Sequence, residues 1–370
     1  MLKNTRTAMR SGTLQRVCKN GGRLFHSSAR YPLGIAFDID GVLVRGGQPI
    51  EGACKALQQL FVDPQDPCQI RIPHIFLTNG GGVPESVKAL ELSSLLGVKI
   101  LPQQLFLGHT PFKTLKDRFE SANVLAIGKG EPCTVMSSYG YRNVVSMEEY
   151  VEHFKDIDPL AKYKKWSTNN DIRKNTKNVY SSNKAIDAVF VVSDPVDWGR
   201  DIQVLCDVLR SGGYPGRSAG NQPYLYFAAD DLEYQAAFPV ERLGMGAFRI
   251  ALESIYNGIS KTPLVYTSFG KPSVPVFRGS EIALLKLAEI VKPDVKHGNF
   301  ARLYMIGDNP YTDILGAKQA GAPWFSILTR TGCFKGEDNH DQYKADLVVD
   351  DVLEAVQYIM KEHKIELLQH

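Results

Sequence analysis

The sequence lacks three features that would each indicate a class of protein: paired cysteines, a long apolar run, and acidic residues near its amino terminus. The six cysteines form no CxxC pair and no Cys/His cluster, so neither a zinc site nor a disulfide framework is indicated. No run of eighteen apolar residues occurs, and we therefore expect no transmembrane segment. The 370 residues, 44% of them hydrophobic, provide enough apolar material for a core and predict about two domains.

The missing acids leave a basic amino-terminal segment, residues 1–30, because the first acid of the chain is Asp38. Its seven basic residues stand among serines and threonines, and they are Lys3, Arg6, Arg10, Arg16, Lys19, Arg23 and Arg30. This composition is typical of a mitochondrial transit peptide, and a disordered basic arm that binds nucleic acid or acidic lipid is the alternative. Without these charges the formal net charge falls from +3 to −4, so we expect a mature protein of the mitochondrial matrix that binds no nucleic acid.

Apolar runs that are typical of strands alternate with amphipathic stretches that are typical of helices. The strand candidates towards the two ends of the chain are GIAFDI, IPHIFLTN, ARLYMIGDN, WFSILT and ADLVVDD. The middle of the chain, residues 108–262, has its own alternation, with the strand candidates NVLAIG and DAVFVV. This alternation predicts an α/β protein with mostly parallel sheets, in which chemistry takes place at the carboxyl ends of the strands.

One polar segment departs from this alternation. Residues 162–184 are rich in Asn, Lys and Ser and poor in aliphatic residues, which predicts a long exposed loop. Trp166 and Tyr180 stand among its lysines, so a nucleic-acid-binding patch is the alternative.

Two carboxylates follow the first strand candidate, in the stretch Asp38-Ile39-Asp40-Gly41. Successive side chains of a strand alternate between faces, but Gly41 allows the chain to turn so that both carboxylates face one crevice. Two close carboxylates repel each other unless a cation or a shared proton relieves them. Mg²⁺ is the expected cation because it prefers oxygen ligands.

Three further motifs carry polar groups that suit a phosphate and its metal. Residues 78–82, Thr-Asn-Gly-Gly-Gly, follow a strand candidate, and their hydroxyl and open backbone N–H groups suit an anionic oxygen. Lys271 stands in a Gly-Lys-Pro turn that presents its ammonium group. Asp308 and Asp313 follow another strand candidate, in the stretch IGDNPYTDI, and add anionic metal ligands. Each motif is weak alone, because glycine-rich turns, solvated lysines and GDN turns are common.

In this order the four motifs resemble the signature of the haloacid-dehalogenase superfamily, which is DxDGV/T, a Thr or Ser, a Lys and GDxxxxD. The large insertion between the Thr and Lys motifs resembles the class IIA branch with its α/β, C2-type cap. The chain is similar to the cat-eye-syndrome-critical-region group of that branch and its fungal mitochondrial members, through FDIDGVL, LTNGGG, DPVDWGRDIQ, GMGAFRIALE and GDNPYTDI.

The resemblance implies a Rossmann-like, three-layer core with a parallel sheet and an inserted C2-type cap domain. The expected division has the leader at 1–30, the core at 31–107 and 263–370, and the cap at 108–262. Cap-mediated dimers occur among similar proteins, so a homodimer is one expected state.

The resemblance also implies a role for each motif residue. Asp38 is expected to be the nucleophile, and Asp40 the general acid and then the general base. Thr78 is expected to hold phosphoryl oxygens, and Lys271 to neutralise charge in the transition state.

The implied cofactor is Mg²⁺, held by Asp38, Asp308 and the main-chain carbonyl of Asp40. Asn309 and Asp313 are expected just outside this ligand set, where Asp313 orients Lys271 or a metal-bound water.

Substrate selection is expected to depend on the cap and on the loop after the Thr motif. The predicted substrate contacts are Asn79, Gly80, Asp194 and Trp198, although Trp198 fits the cap core equally well. At 228–231 the sequence reads Ala-Ala-Asp-Asp, where the branch has a small residue or Thr and then Asn. Two extra acids there would disfavour highly anionic substrates.

The sequence therefore predicts a Mg²⁺-dependent phosphatase that hydrolyses a small phosphomonoester through an aspartyl-phosphate. The resemblance suggests a glycerol-phosphate or lipid-headgroup intermediate of glycerophospholipid metabolism as the substrate. A phosphotransferase with an acceptor other than water and a non-catalytic interaction protein are the alternatives. An inactive descendant should have lost at least one motif residue, and all six are present: Asp38, Asp40, Thr78, Lys271, Asp308 and Asp313.

Overall fold

The computed structural model describes five stretches of the chain, which are residues 33–66, 69–154, 156–164, 184–291 and 299–368. The predicted leader, residues 1–30, lies outside the described residues, and so does most of the predicted loop at 162–184. Only Lys162, Tyr163, Lys164 and Lys184 of that loop are described.

The chain divides into two compact units. The first takes the described parts of Met1–Leu77, Glu85–Phe106 and Phe277–His370, and the second takes Thr78–Pro84 and the described parts of Leu107–Val276. The second unit contains the predicted cap, 108–262, and extends beyond it to residues 78–84 and 263–276. These division points and the role of the second unit as a cap stay predictions.

The first unit is built around a parallel sheet. Its described strands are β1 (Leu33–Phe37), β2 (Val44–Arg45), β3 (Gln48–Pro49), β4 (His74–Leu77), β5 (Leu105–Phe106), β13 (Arg302–Gly307), β14 (Trp324–Thr329) and β15 (Leu347–Val349). Six of them form the sheet in the order β15-β14-β13-β1-β4-β5, whereas β2 and β3 form an antiparallel pair. Every residue of β1 is buried, as expected for a central strand of a parallel sheet that is covered on both faces.

Helices alternate with these strands. Those of the first unit are α1 (Ala53–Gln58), α2 (Glu85–Leu96), most of α8 (Val274–Val291), α9 (Leu315–Ala320) and α10 (Val352–Glu362). Asp351 directly precedes α10 and caps its amino terminus. Its side chain accepts a hydrogen bond from the backbone N–H of Glu354 (2.9 Å) and so satisfies one donor of the first turn. The buried residues of α10 face α1, β14 and β15, which it contacts.

The second unit has its own parallel sheet. Its described strands are β6 (Asn123–Ile127), β7 (Asn143–Ser146), β8 (Ala188–Val191), β9 (Tyr224–Phe227), β10 (Glu233–Tyr234), β11 (Arg242–Leu243) and β12 (Thr267–Ser268). Five of them form the sheet in the order β12-β9-β8-β6-β7, and β10 pairs with β11 in antiparallel fashion. Its helices are α3 (Lys116–Phe119), α4 (Pro132–Ser138), α5 (Met147–His153), α6 (Trp198–Arg210) and α7 (Met245–Ile259).

Aromatic packing stabilises this second sheet. The ring of Phe190 on β8 contacts the rings of Phe112, Tyr141 and Tyr226, at centroid distances of 5.0, 5.3 and 5.1 Å. Both sheets are parallel and alternate with helices, so the predicted α/β class is confirmed. Across the described residues, we find no helix that combines the length and the apolar character needed to cross a membrane.

A buried ion-pair cluster lies at the start of the segment predicted to be an exposed loop. The ammonium group of Lys164 donates to Asp158 Oδ2 (3.0 Å) and to Asp197 Oδ2 (2.6 Å), and Asp197 also accepts from the backbone N–H of Arg200 at the start of α6. The prediction of an exposed loop is therefore wrong for Lys164, whose side chain is 9% exposed. The reason is that its charge is matched by two carboxylates, Asp158 six positions before it and Asp197 33 positions after it.

We expect Lys164→Met to lower the free energy of unfolding by about 3 kcal/mol at pH 7, because it leaves two carboxylates buried without their cation. Burial opposes the charge of Lys164, but its hydrogen bonds with Asp197 and Asp158 outweigh burial and raise its pKa. Burial likewise opposes the charge of Asp197, but its hydrogen bonds with Lys164 and with the backbone N–H of Arg200, together with the positive charges of both residues, outweigh burial and lower its pKa.

The raised pKa of Lys164 stabilises the folded state at pH values below the unfolded-state lysine pKa of about 10.5. The lowered pKa of Asp197 stabilises the folded state at pH values above the unfolded-state aspartate pKa of about 4. The destabilisation should therefore be largest between these values and should shrink as the pH falls through the folded-state pKa of Asp197. Urea unfolding of the parent protein and of Lys164→Met at pH 3 and pH 7 measures this destabilisation. Lys162→Met, at an exposed position, is the control, with an expected change within about 0.5 kcal/mol. Equal effects of the two substitutions at pH 7 would contradict this account.

Candidate active site

Two of the predicted site residues follow neighbouring strands of the first unit. Asp38 comes directly after β1, and Asp308 comes directly after β13. The two strands are parallel, with Phe37 level with Ile306, and the backbone N–H of Asp38 donates to the carbonyl of Ile306 (2.9 Å). This register places both aspartates at the same edge of the sheet, where α/β proteins carry their sites.

Three carboxylates meet at that edge. One oxygen each of Asp38, Asp308 and Asp313 lies within 4.8 Å of the other two, and all three residues are buried. Asp313 reaches the cluster because Pro310–Ile314 forms a π-helical turn directly after the strand end. The turn is held by Asn309, whose side chain accepts from the backbone N–H of Tyr311 (3.0 Å) and whose own N–H donates to Asp313 Oδ2 (3.1 Å).

Glycines make room for this cluster. A Cβ on Gly332 would overlap the carboxylate of Asp308, and a Cβ on Gly41 would also collide with it. Gly41 has a φ of +87°, which only glycine adopts without strain, so the predicted turn after Asp40 is observed. The backbone N–H of Cys333 donates to Asp308 Oδ2 (2.6 Å), which fixes that carboxylate. Burial, together with the negative charge of Asp308, raises the pKa of the Cys333 thiol, so the thiol is neutral at physiological pH.

The chemistry of the cluster suits a hard divalent cation. Three carboxylates at this separation repel one another, and a cation such as Mg²⁺, which takes oxygen ligands, relieves that repulsion. Asp313 stands inside the cluster with Asp38 and Asp308, so the structure allows it to be a direct ligand as well as the orienting residue that the sequence predicts. The side chain of Asp40 is exposed, in keeping with a group that exchanges protons.

The Thr motif belongs to the second unit. Thr78 directly follows β4, and its Oγ1 accepts a hydrogen bond from the backbone N–H of Gly80 (3.0 Å). The carbonyl of Gly80 accepts from the backbone N–H of Gly108 (3.1 Å). The prediction of open N–H groups is therefore wrong for Gly80, because the neighbouring threonine hydroxyl uses its N–H in a local turn.

Lys271 is also in the second unit, and it is a buried lysine, with 2% of its surface exposed. Its backbone N–H donates to Asn79 Oδ1 (2.7 Å), and its carbonyl accepts from Asn79 Nδ2 (3.1 Å). The second hydrogen of Asn79 Nδ2 is donated to Asp231 Oδ1 (3.0 Å). The structure thus joins the Thr motif to the Lys motif through a side chain that was predicted to contact substrate, and that substrate contact stays a prediction.

The predicted substrate residues of the cap have partners within the protein. Asp194 forms an ion pair with Lys129 (2.7 Å). Trp198 packs edge-on against Phe248 at a centroid distance of 5.5 Å, and its indole N–H donates to the carbonyl of Pro195. This packing favours the cap-core interpretation of Trp198 over a substrate platform, while the substrate contact of Asp194 stays a prediction.

The Ala-Ala-Asp-Asp stretch has a defined place after β9. Ala228 and Ala229 are fully buried, Asp230 pairs with Arg249, and Asp231 accepts from Asn79. Sequence reasoning missed the Asp231 contact, because its partner lies 152 positions away and no local pattern links the two. The only sequence signal for this contact was the small size of Ala228 and Ala229, because short side chains allow other segments to approach the backbone there closely.

Two protein-family models match the chain. The first, described as haloacid dehalogenase-like hydrolase, matches residues 35–142, and the second, described as HAD-hydrolase-like, matches residues 268–355. The two segments contain the motifs of Asp38, Thr78, Lys271 and Asp308 and together make up more than half of the chain.

Two curated relatives match nearly the whole chain. It is 31% identical over 357 residues to a mitochondrial hydrolase of Saccharomyces cerevisiae, a match that covers 90% of this chain and 97% of that protein. It is 34% identical over 353 residues to a Schizosaccharomyces pombe protein in which a cardiolipin synthase (CMP-forming) is fused to a mitochondrial hydrolase. That match covers 91% of this chain and 55% of the fusion protein. These matches confirm the superfamily and the enzymatic nature that the sequence predicts.

The fold is similar to that of a p-nitrophenyl phosphatase from Archaeoglobus fulgidus, with a TM-score of 0.55. The likeness covers 88% of this chain and 98% of that chain, at 17% sequence identity. At this identity it shows the fold alone, and it confirms the predicted Rossmann-like α/β architecture.

Proposed function

The chain belongs to the haloacid dehalogenase-like hydrolases, and we therefore propose that it is a Mg²⁺-dependent phosphatase that hydrolyses a small phosphomonoester. The observation that carries this proposal is the cluster of Asp38, Asp308 and Asp313, whose buried carboxylate oxygens lie within 4.8 Å of one another. Such a cluster is electrostatically unfavourable by itself and suits a metal-assisted reaction at a phosphoryl group.

The proposed metal ligands are Asp38, Asp308 and the main-chain carbonyl of Asp40, with Asp313 as a further candidate. When bound, Mg²⁺ supplies a positive charge that neutralises the phosphoryl oxygens and holds them in place. The hydrogen bond from the N–H of Cys333 and the tight packing of Gly332 keep Asp308 in one orientation.

The proposed nucleophile is Asp38. Its carboxylate oxygen forms a bond to phosphorus while the ester P–O bond breaks, which leaves an aspartyl-phosphate and an alkoxide. Asp40 donates its proton to the alkoxide and then removes a proton from the water that attacks the phosphorus of the intermediate. This second attack releases inorganic phosphate and restores Asp38.

Thr78 and Lys271 are the proposed binders of the phosphoryl group. The hydroxyl of Thr78 accepts from Gly80, which leaves its own hydrogen available for a phosphoryl oxygen. Lys271 would place a cation near the transferring group, where preorganised charge stabilises the transition state.

The proposed substrate class is a glycerol-type or lipid-headgroup phosphomonoester, and the proposed location is the mitochondrion. Support comes from the relatives, both of which are named mitochondrial hydrolases, and one of which is fused to a cardiolipin synthase. A single chain that contains both enzymes suggests that the hydrolase acts on the same group of phospholipid intermediates. The basic leader is consistent with import into the matrix.

The experiment measures phosphate and alcohol released with Mg²⁺ from three substrates: an aryl phosphate, glycerol 3-phosphate, and a lipid phosphomonoester in mixed micelles. Equal amounts of phosphate and alcohol are expected from at least one of them. Excess alcohol in the presence of a second alcohol would show transfer to that acceptor and would identify a phosphotransferase. No release from any of the three would contradict the proposed activity and favour an interaction protein.

A further inference from the structure

Both polar groups of the Asn79 amide form hydrogen bonds with the protein around it. Its oxygen accepts from the backbone N–H of Lys271, and its two hydrogens are donated to the carbonyl of Lys271 and to Asp231 Oδ1. The three distances are 2.7, 3.1 and 3.0 Å. Because one partner is a donor and two are acceptors, a single orientation of the amide satisfies all three bonds.

This arrangement determines where the backbone of Lys271 lies. Gly270, directly before it, has a φ of +82°, and a Cβ there would lie 2.7 Å from Asn79 Oδ1 and 3.0 Å from the Cα of Ala229. The backbone therefore approaches Asn79 and Ala229 as closely as it can. Lys271 is buried, so packing restricts its side-chain conformations and the position of its ammonium group follows the position of its backbone.

Asp231 is the second part of the arrangement, since it accepts a hydrogen bond from the same amide nitrogen of Asn79 that donates to the carbonyl of Lys271. The charged groups around it are Lys271, Asp194, which pairs with Lys129, and Asp230, which pairs with Arg249. Burial, and then the negative charge of Asp194, raises the pKa of Asp231 to about 6, against the opposing effects of Lys271 and Asn79. Asp231 therefore changes its charge within a range in which enzymes are commonly assayed.

We propose that Asn79 and Asp231 are positioning residues for Lys271: Asn79 holds the lysine backbone through both of its polar groups, and Asp231 fixes Asn79 and adds a negative charge beside the lysine. The proposal rests on the proposed function for its catalytic consequence, because Lys271 is the proposed phosphoryl-binding cation. It differs from a substrate contact in which Asn79 donates, because both hydrogens of its amide are already donated within the protein.

The first test is Asn79→Asp, which keeps the size of the side chain and replaces two donors with an acceptor. The new carboxylate faces the carbonyl of Lys271 and the carboxylate of Asp231, so we expect Lys271 to move and kcat for an aryl phosphate to fall by about 10²-fold. Asn257→Asp is the matched control. Asn257 only accepts, from the N–H of Leu264 (2.8 Å), and aspartate keeps that role, so activity should be unchanged.

A second readout does not depend on catalysis. The rate at which an acetylating reagent labels Lys271 is measured by mass spectrometry, with the exposed Lys261 as the internal reference. We expect labelling of Lys271 to be slow in the parent protein and at least about 10-fold faster in Asn79→Asp, since local opening exposes buried groups. Labelling at the parent rate would overturn the proposal whatever the activity. Faster labelling in a protein that hydrolyses no phosphomonoester would support the positioning role and contradict the proposed function.

The third test uses Asp231→Asn, which keeps the acceptor for Asn79 and removes the charge. We expect the ratio of kcat/KM between the parent and this variant to be about 10 at pH 8 and to approach 1 at pH 5, with its midpoint near pH 6. Protonated Asp231 is neutral, like asparagine, so the parent and the variant should have equal kcat/KM at low pH and should differ at high pH. Ionisation of the substrate cancels in the ratio, and the variant remains informative if Asn79→Asp fails to fold. A ratio that stays constant with pH would contradict the role of Asp231.

Discussion

Replacing Asp38 with asparagine is expected to lower kcat for aryl phosphate hydrolysis by more than about 10³-fold. The amide has nearly the same shape as the carboxylate, but it is neutral and does not form the acyl phosphate on which the two-step reaction depends. No other group at the strand end of β1 replaces it, because the side chain of Asp40 is expected to exchange protons. The measurement is steady-state phosphate release with saturating Mg²⁺.

The folded state should survive this substitution. Asp38 is one of three clustered carboxylates, and removal of one negative charge reduces the repulsion among them. We therefore expect the melting temperature without Mg²⁺ to be unchanged or higher than that of the parent. Asp117→Asn, at a side chain that is 97% exposed, is the control for an aspartate-to-asparagine change without effect. A variant that kept more than a tenth of the parent activity would contradict the assignment of the nucleophile.

Asp40→Asn tests whether Asp38 and Asp40 have different roles in the reaction. An aryl leaving group departs without a proton, so the first step should proceed, but the water in the second step lacks its base. The aspartyl-phosphate should therefore accumulate, and it is detected as one labelled phosphate per protein after acid quenching. Asp38→Asn should give no label under the same conditions. Label in the Asp38 variant would place the nucleophile elsewhere.

Removal of divalent cations with a chelator is expected to lower the rate by about 10³-fold, and added Mg²⁺ should restore it. The reason is that the phosphoryl oxygens and the clustered carboxylates all carry negative charge, and without Mg²⁺ their repulsion opposes both substrate binding and the attack of Asp38. Asp308→Asn should raise the Mg²⁺ concentration needed for half-maximal activity by at least about 10-fold.

Thermal unfolding tests the same site without relying on activity. A ligand that binds only the folded state raises the melting temperature, so Mg²⁺ should stabilise the parent protein and should have a much smaller effect on Asp308→Asn. Asp350→Asn, at an exposed carboxylate in the same unit, should respond to Mg²⁺ like the parent. Equal stabilisation of the parent and Asp308→Asn by Mg²⁺ would contradict a metal site at this cluster.

The strands β1 and β13, and the acids Asp38 and Asp308 at their ends, were predictable because their sequence signals are local. A buried parallel strand is a continuous apolar run, and β1 and β13 both appear in the sequence as such runs followed by an aspartate. The adjacency of β1 and β13 was not predicted from the residues of either strand, and it is the structure that shows it. The π-helical turn that brings Asp313 to Asp308 was not predictable, since its residues, PYTDI, are compatible with an ordinary helix start.

Contacts between distant polar residues were the main features that the sequence did not indicate. Lys164 belongs to a segment with the composition of an exposed loop, yet its ammonium group is buried in ion pairs with Asp158 and with Asp197, which is 33 positions away. Trp198 fitted two roles until the position of Phe248 favoured packing in the core. Composition describes the average environment of a segment, whereas a single ion pair or ring contact depends on where other segments fold.

The sequence by itself determined the α/β class, the order of the motifs, the superfamily and the identity of the acids that meet at the strand ends. Periodicity carries the α/β class, because it acts over a few residues, whereas the superfamily followed from the resemblance of the four motifs to a known signature. Only the tertiary structure decided that a carboxylate oxygen of Asp313 lies within 4.8 Å of Asp38 and Asp308, and that Asn79 forms hydrogen bonds with both Lys271 and Asp231. Hydrogen bonds and charge interactions form between whichever groups the fold brings within a few ångströms, and no local pattern records those distances.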